Sequence, residues 1–314
     1  MRILIVDDDP LIRDLVHTVL RQDKTNEVVV AASGPAALDI LHHEDELFEM
    51  LMLDIEMPEM DGIELCRSIR KLPDYKTTAI VMLTRKSGLS DIEGAFAAGA
   101  TDYITKPFDV KDIQPRLRIA QRKMRDDCLT VAREILTDPT FENSKALEFT
   151  METPIRITDV EQHTDPFSFG NYLSQLNRKK VGQSVVFAVQ INSLHRLFST
   201  LSPLEVLKIL VEVSEGISAT VKGRRLLNTY FGSGAFLFIS SSDALEDWQN
   251  IGKCLNEILA ASEAVRAMDI GSDVTVKIGR PFRPASHRNQ RVRKTFDRAL
   301  VQLGRRAQVG KSSA

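Results

Sequence analysis

The sequence predicts an α/β protein that begins with a parallel sheet, and two patterns support this fold class. From residue 1 to about residue 124, short apolar runs alternate with amphipathic stretches. Five of these runs have the length and composition of buried strands, and they read RILIV, EVVVA, MLML, AIVML and DYIT. Strands that alternate with helices form parallel sheets covered on both faces. We therefore expect five parallel strands with helices on each side.

The helices of this part have chemical start signals. Asp9 precedes Pro10 at the first helix, and Ser33 stands before the second. Ser90 and Glu93 have the spacing of a capping box at a later helix. These signals place the helix starts directly after the ends of the apolar runs.

The last helix of this part is predicted to continue beyond the sheet. Apolar or small side chains recur every three or four residues, at Ile113, Leu117, Ala120, Met124, Cys128, Val131 and Ile135. This stripe predicts one helix up to about Thr137, where Asp138 and Pro139 would end it. Its second half could pack on the next domain or form a dimeric coiled coil, and two heptads do not decide between these alternatives.

A second alternation of strands and helices begins at Asp165. Gly232, Ser233 and Gly234 lie between two of its apolar runs and predict a tight β-hairpin. The stretch before Asp165 is mixed in pattern, with a short strand expected at 155–157. We therefore expect one domain over residues 1–124, a helical extension and linker over 125–164, and a second domain over 165–314.

Composition limits the class of protein. The 314 residues have room for two domains, each with its own core. Three widely separated cysteines support neither a disulfide framework nor a zinc cluster, which fits a reducing compartment. No apolar run approaches the roughly 18 residues of a membrane span. We expect a cytoplasmic protein that has no membrane partner.

The charges are unevenly distributed. Residues 1–60 hold 14 acidic and 4 basic side chains, whereas residues 279–314 hold 10 basic and 1 acidic. A basic end hints at an acidic partner, although a solvated helix face is the more ordinary explanation. No helix-turn-helix pattern is visible, so nucleic acid is not an expected partner.

Four predicted strand ends bring together the groups that phosphoryl transfer needs. Asp7 and Asp8 follow the first strand, Asp54 ends the third and Glu56 follows it, Thr84 ends the fourth, and Lys106 precedes Pro107 after the fifth. In an open α/β sheet these ends form the ligand crevice. Carboxylate and carbonyl oxygens suit Mg²⁺, and an acceptor carboxylate needs a metal and a cation to neutralise charge. The pattern therefore predicts a phosphoryl acceptor at Asp54.

This set of residues resembles the receiver domain of two-component response regulators, which has a flavodoxin-like fold with a five-stranded parallel sheet. The resemblance implies that Asp54 is the phosphorylated residue and that Asp7, Asp8, Asp54 and the main chain of Glu56 hold Mg²⁺. It also implies that Thr84 and Lys106 bind the phosphoryl group, while Tyr103 is an aromatic switch that follows Thr84. A histidine kinase or phosphotransfer protein would be the phosphoryl donor.

The second part resembles the GGDEF domain of diguanylate cyclases, an α/β domain with a nucleotidyl-cyclase-like, mostly antiparallel sheet. The signature positions have changed, because the turn reads Gly232, Ser233, Gly234, Ala235 and Phe236 and lacks both acids. Gln190 stands at the position of a metal aspartate, and Phe198 and Ser199 at the guanine-contacting positions. The product-inhibition motif would fall on Gly223 and Leu226, and it is missing. The resemblance therefore implies a degenerate domain that is catalytically inactive.

These patterns predict a response regulator that signals through protein–protein contact rather than through an enzyme. Its downstream partner is unknown, and a homodimer is one of the options. The alternative is residual diguanylate cyclase activity, or an effector that binds GTP or cyclic di-GMP.

Overall fold

A computed structural model of the protein describes residues 1–85, 89–108, 110–123, 128–137, 148–158, 160, 162–221, 226–241, 248–268 and 274–304. The chain divides into two compact units, Met1–Asp126 and Asp127–Ala314. None of the helices within these described ranges has the length and apolar character needed to cross a membrane.

The first unit is a five-stranded parallel sheet with helices between the strands. Its elements are β1 Arg2–Val6, α1 Pro10–Leu20, β2 Glu27–Ala31, α2 Gly34–His43, β3 Met50–Asp54, α3 Gly62–Lys71, β4 Ala79–Thr84, α4 Leu89–Ala97, β5 Asp102–Thr105 and α5 Val110–Lys123. The strand order is β2-β1-β3-β4-β5, and every neighbouring pair is parallel. The predicted parallel sheet of this unit is confirmed.

Local sequence explains where these helices begin. The carboxylate of Asp9 accepts a hydrogen bond from the N–H of Leu11, and the hydroxyl of Ser33 accepts one from Ala36. Each cap satisfies a backbone donor that the first helical turn leaves free. The predicted cap at Ser90 is wrong, because Ser90 is the second residue of α4, which begins at Leu89.

The second unit contains a six-stranded mixed sheet. Its elements are β6 Leu129–Ala132, β7 Ile155–Thr158, α6 Pro166–Gln175, α7 Arg178–Gly182, β8 Ser184–Ile191, α8 Leu194–Thr200, α9 Pro203–Thr220, β9 Leu226–Tyr230, β10 Ala235–Ser241, α10 Trp248–Ala261, α11 Glu263–Arg266, β11 Val276–Ile278 and α12 Arg291–Gln302. The order is β11-β8-β10-β9-β7-β6, and β6 with β7 is its parallel pair. The other neighbours are antiparallel, and β9 and β10 form the predicted hairpin.

The predicted continuation of the helix to about Thr137 is wrong. Residues 124–127 lie outside the described residues, and from Leu129 the chain forms β6, which pairs in parallel with β7. The short strand expected near Ile155 is present as β7. The helical spacing did not predict the strand, because β-branched Thr130 and Val131 suit a strand as well as a helix. Pairing with β7 buries Val131, which is only 2% exposed. This segment therefore belongs to the second sheet and is not a linker.

A buried histidine connects three elements of the second unit. His163 shares hydrogen bonds with the Asn228 side chain at 2.6 Å and with the Ile155 carbonyl at 3.2 Å. The hydroxyl of Ser214 on α9 donates to the same Asn228 oxygen at 3.1 Å. Burial lowers the pKa of His163, and the hydrogen bonds oppose that shift only in part. Burial therefore favours the neutral form of this imidazole.

Candidate functional site

The predicted site residues of the first unit meet at the carboxyl edge of its sheet. Asp54 ends β3 and pairs with Leu83, and Thr84 ends β4 beside Thr105. Asp7 follows β1 directly and is fully buried, while its neighbour Asp8 is exposed. Parallel strands present their carboxyl ends on the same side, so side chains distant in sequence become neighbours here.

Lys106 lies between two buried carboxylates. Its Nζ is 2.7 Å from Asp7 Oδ2 and 3.0 Å from Asp54 Oδ1. All three side chains are at most 5% exposed, so solvent screens the interaction weakly. Two carboxylates share one ammonium group, which leaves a net negative charge inside the pocket.

The ionisation of Asp54 is balanced between opposing effects. Burial raises its pKa, and the neighbouring Asp7 charge raises it further. Hydrogen bonds from Lys106 and from the backbone N–H of Glu56 lower it. The net direction is upward, so the carboxylate is under-neutralised when only Lys106 accompanies it.

The donor set fits a hard divalent cation. One carboxylate oxygen from each of Asp7, Asp8 and Asp54 lies within 4.8 Å of the others. Mg²⁺ prefers oxygen ligands and tolerates partial hydration, and exposed Asp8 leaves room for water. The backbone N–H of Glu56 donates to the Asp54 carboxylate, so the main chain of Glu56 lies beside this acidic cluster. Surplus negative charge and oxygen donors together suit Mg²⁺.

Gly62 is a site residue that the motif analysis missed. A Cβ at this position would overlap the carbonyl oxygen of Asp54 and lie 2.8 Å from the carbonyl carbon. The N–H of Gly62 donates to the carbonyl of Ile55 at 3.0 Å, which closes the loop after β3. The Asp61-Gly62 dipeptide at the end of this loop is the sequence signal that could have identified it. Only glycine lets α3 begin directly against the Asp54 backbone.

Thr84 and Tyr103 lie on neighbouring strands. Thr84 is 1% exposed and its carbonyl accepts a 2.6 Å hydrogen bond from the N–H of Lys106. Tyr103 is 8% exposed and packs edge-to-face on Phe96 of α4, with ring centroids 6.2 Å apart. The Lys106–Pro107 peptide bond is cis. The predicted acceptor, cation and hydroxyl therefore lie at adjoining strand ends, and the predicted aromatic switch lies within β5.

The turn of the second unit is occupied by internal contacts. The side-chain N–H groups of Gln190 donate to the carbonyls of Ile191 at 2.9 Å and Ser233 at 3.1 Å. The N–H of Gly234 donates to the Tyr230 hydroxyl at 3.0 Å. A Cβ at Gly234 would lie 2.8 Å from Gln190 Nε2. An amide therefore occupies the space beside the turn, and neither Gly234 nor Ala235 offers a side-chain oxygen.

A segment before β7 covers the other side of this turn. The N–H of Ser233 donates to the carbonyl of Met151, and a Cβ at Gly232 would overlap the carbonyl of Glu152. Phe149 packs edge-to-face on Phe198 of α8, with centroids 5.8 Å apart. Exposed Ser199 keeps its hydroxyl on the Arg196 carbonyl. Gly223 lies outside the described residues, and Leu226 begins β9.

Comparisons with known proteins agree with the first unit. Residues 3–118 match the model of the response regulator receiver domain. The chain is 40% identical over 122 residues to an uncharacterized 14.6 kDa protein in the sodA1 3'region of Leptolyngbya boryana, covering 39% of this chain and 88% of that protein. It is 38% identical over 120 residues to the heme response regulator HssR of Staphylococcus aureus, covering 38% of this chain and 51% of HssR.

Solved structures are similar over the same region. The chemotaxis response regulator CheY4 of Vibrio cholerae is 34% identical, with a TM-score of 0.36, and the match covers 38% of this chain and 97% of CheY4. The chain spans about half the length of HssR. Through residues 3–118 this chain belongs to the response regulator receiver family, whose members work in two-component systems and bind Mg²⁺ at an acidic cluster.

Proposed function

We propose that this chain is a response regulator in which Asp54 accepts a phosphoryl group and the second unit passes the signal on by protein contact. The observation that carries the proposal is the position of Lys106 between Asp7 and Asp54. A cation at this place binds the acceptor before transfer and can bind a phosphoryl oxygen afterwards. The donor would be a phosphohistidine of a kinase or phosphotransfer protein.

The transfer step follows from these groups. An Asp54 oxygen attacks phosphorus, the phosphorus–nitrogen bond to the donor histidine breaks, and the leaving imidazole nitrogen takes a proton. Asp7, Asp8, Asp54 and the main chain of Glu56 would hold Mg²⁺, which supplies positive charge to the phosphoryl oxygens. Lys106 neutralises a further oxygen, and Thr84 donates its hydroxyl to another. Apart from Asp54, these residues orient and neutralise the group and form no covalent bond to it.

The donor protein needs a docking surface beside Asp54. Helix α1 begins three residues after Asp7 and exposes Leu11 at 76% and Leu15 at 43%. Two exposed leucines one helical turn apart form an apolar stripe that suits a partner helix. Replacing Leu11 and Leu15 by serine should slow phosphorylation by a histidine-containing donor and leave phosphorylation by a small phosphodonor unchanged. Equal slowing with both donors would contradict this docking surface.

The signal would leave the site through Thr84 and Tyr103. A phosphoryl group that draws the Thr84 hydroxyl inward opens space beside β4, and Tyr103 on neighbouring β5 already packs on Phe96 of α4. A ligand shifts such an equilibrium only through contacts that differ between the two states. The hydroxyl–phosphoryl hydrogen bond is that difference here, and the face of α4, β5 and α5 is the surface that changes.

We propose that the second unit is a degenerate GGDEF-like domain that makes no cyclic di-GMP. The mostly antiparallel sheet with a β9–β10 hairpin supports the resemblance. The contacts around the turn support inactivity, because Gln190 and Met151 bind polar groups of the turn and neither Gly234 nor Ala235 carries a carboxylate for a metal. Phe149 on Phe198 fills the position implied for guanine contact.

One experiment separates the two parts of the proposal. Full-length protein is incubated with GTP and Mg²⁺, with and without a small phosphodonor, and cyclic di-GMP is measured by chromatography. We expect none in either state, together with a change in oligomeric state or partner capture that Asp54→Asn abolishes. Cyclic di-GMP production would overturn the inactive assignment, whereas an unchanged assembly on phosphorylation would overturn the switch.

A further inference from the structure

Two segments of the second unit are depleted of acidic side chains. Residues 166–183 and 279–304 together contain ten Lys or Arg and one acid, Asp297. The rest of the chain is net acidic, because it has 31 basic and 42 acidic residues of the 41 and 43 in the whole protein. A local excess of this size creates a positive potential wherever the segments meet.

The fold joins these segments into a single surface. Phe169 of α6 packs on Phe296 of α12, with ring centroids 6.1 Å apart. Buried Arg291 donates to the carbonyl of Leu173 at 3.1 Å, and Arg288 donates to that of Ser174 at 3.2 Å. The C-terminal end of α6 is therefore fastened to the start of α12, and the basic residues of α7 follow directly.

Most of the basic side chains on this surface have no counter-ion. Among the exposed arginines and Lys294 of residues 280–298, Arg293 forms an ion pair with Asp297, at 3.8 Å. Arg298 instead stacks on Phe282, 4.6 Å from the ring centroid, which brings the 280–283 loop beside α12. We define the basic face as six exposed residues: Arg280, Arg283, Arg288, Arg293, Lys294 and Arg298. Arg178 and Lys179 of α7 extend it.

The apolar content of the face limits the kind of partner. The large apolar side chain exposed on this face is Val301, which is 57% exposed. No Phe, Tyr or Trp is exposed in the described parts of the two segments. Specific protein interfaces need an apolar or aromatic centre, and membrane-surface helices insert apolar side chains. Binding to a phosphate backbone needs neither, because counterion release supplies the free energy.

We propose that the basic face binds the sugar–phosphate backbone of a nucleic-acid duplex without reading its sequence. Guanidinium groups make up five of the six defining residues, and their planar donors match phosphate oxygens in pairs. The described residues of the face include no exposed Phe, Tyr or Trp to stack on bases, so we expect the affinity to come from the phosphate backbone and to be nearly independent of sequence. This proposal does not depend on the GGDEF resemblance or on phosphorylation of Asp54.

The test is a salt series with full-length protein and a short fluorescent DNA duplex of arbitrary sequence. Six phosphate contacts predict that the logarithm of the binding constant falls against the logarithm of salt concentration with a slope of about −5. That slope corresponds to roughly 1000-fold weaker binding between about 50 and 200 mM salt. A second duplex of different sequence should bind equally well.

Matched variants locate the binding. Replacing Arg280, Arg283 and Lys294 by glutamine removes three cations without ion pairs and should reduce the slope by about 2.7. The control replaces Arg21, Arg67 and Lys71, three exposed bases of the first unit, and should leave the slope unchanged. Equal effects of the two triple variants, absence of salt-dependent binding, or binding to phosphatidylserine vesicles but not to duplex would overturn the proposal. Unfolding curves confirm that both variants keep the wild-type fold.

Discussion

Gly62→Ala should slow the phosphorylation of Asp54 and destabilise the protein. The added Cβ would lie 2.8 Å from the Asp54 carbonyl carbon. Carbon atoms normally approach to about 3.5–4.0 Å, so the Asp54 backbone must move by about 1 Å. A misplacement of that size can cost about 100-fold in rate. We therefore expect Asp54 to be phosphorylated roughly 100-fold more slowly, with a loss of about 1–3 kcal/mol in unfolding free energy from overpacking.

The assay is the initial rate of phosphorylation by a small phosphodonor with Mg²⁺, followed by separation of phosphorylated from unmodified protein. Gly94→Ala is the matched control, because its nearest neighbour, Ile63 Cδ1, would be 3.6 Å from the new Cβ. Gly94 lies inside α4, so alanine should be tolerated and should favour the helix by about 0.5–1 kcal/mol. Wild-type phosphorylation in a folded Gly62→Ala protein would refute the reasoning.

Three further perturbations test other parts of the structure. Lys106→Met leaves Asp7 and Asp54 buried without their cation and should lower the free energy of unfolding in urea by about 3–5 kcal/mol. Adding Asp54→Asn removes one of the two buried charges and should recover part of that stability. A double variant as unstable as Lys106→Met alone would contradict the shared-cation arrangement. Gly234→Ala should destabilise the second unit by about 1–3 kcal/mol, because φ is 74° and the added Cβ would lie 2.8 Å from Gln190 Nε2. The control is Gly182→Ala, whose added Cβ would have no atom within 4 Å and should change stability by less than about 0.5 kcal/mol. His163 has a lowered pKa in the fold, so the unfolded state binds more protons and stability should fall as pH drops below about 6.5. His163→Gln should flatten that dependence, and an unchanged pH profile would show that another group is responsible.

The acceptor site could be predicted from the sequence because its residues mark strand ends. Four of the five apolar runs of the first unit lead directly into a polar site residue, and parallel pairing then brings Asp54 and Lys106 to the same edge. The requirement at Gly62 is different in kind. It arises from the approach of a helix start to one carbonyl, and only the three-dimensional packing shows that distance.

The start of the second unit differs from the predicted helix because local pattern and tertiary pairing disagree there. Val131 and Ile135 fit a helical stripe that begins in α5, yet Val131 is in a strand and Ile135 in a short 3-10 helix. Pairing of β6 with β7 joins residues 129–132 to 155–158, a separation that no periodicity within one segment can reveal. Phe149 and Phe198 are also distant in sequence, so their contact near the β9–β10 turn could not be predicted from a local pattern.

The central claim is that Asp54 receives the phosphoryl group. The most direct measurement is mass spectrometry of intact and digested protein after incubation with a small phosphodonor and Mg²⁺. We predict one phosphoryl adduct, located on the peptide that contains Asp54, and none on Asp54→Asn. An adduct on another residue, or an unmodified wild-type protein under conditions that phosphorylate a control receiver domain, would contradict the account.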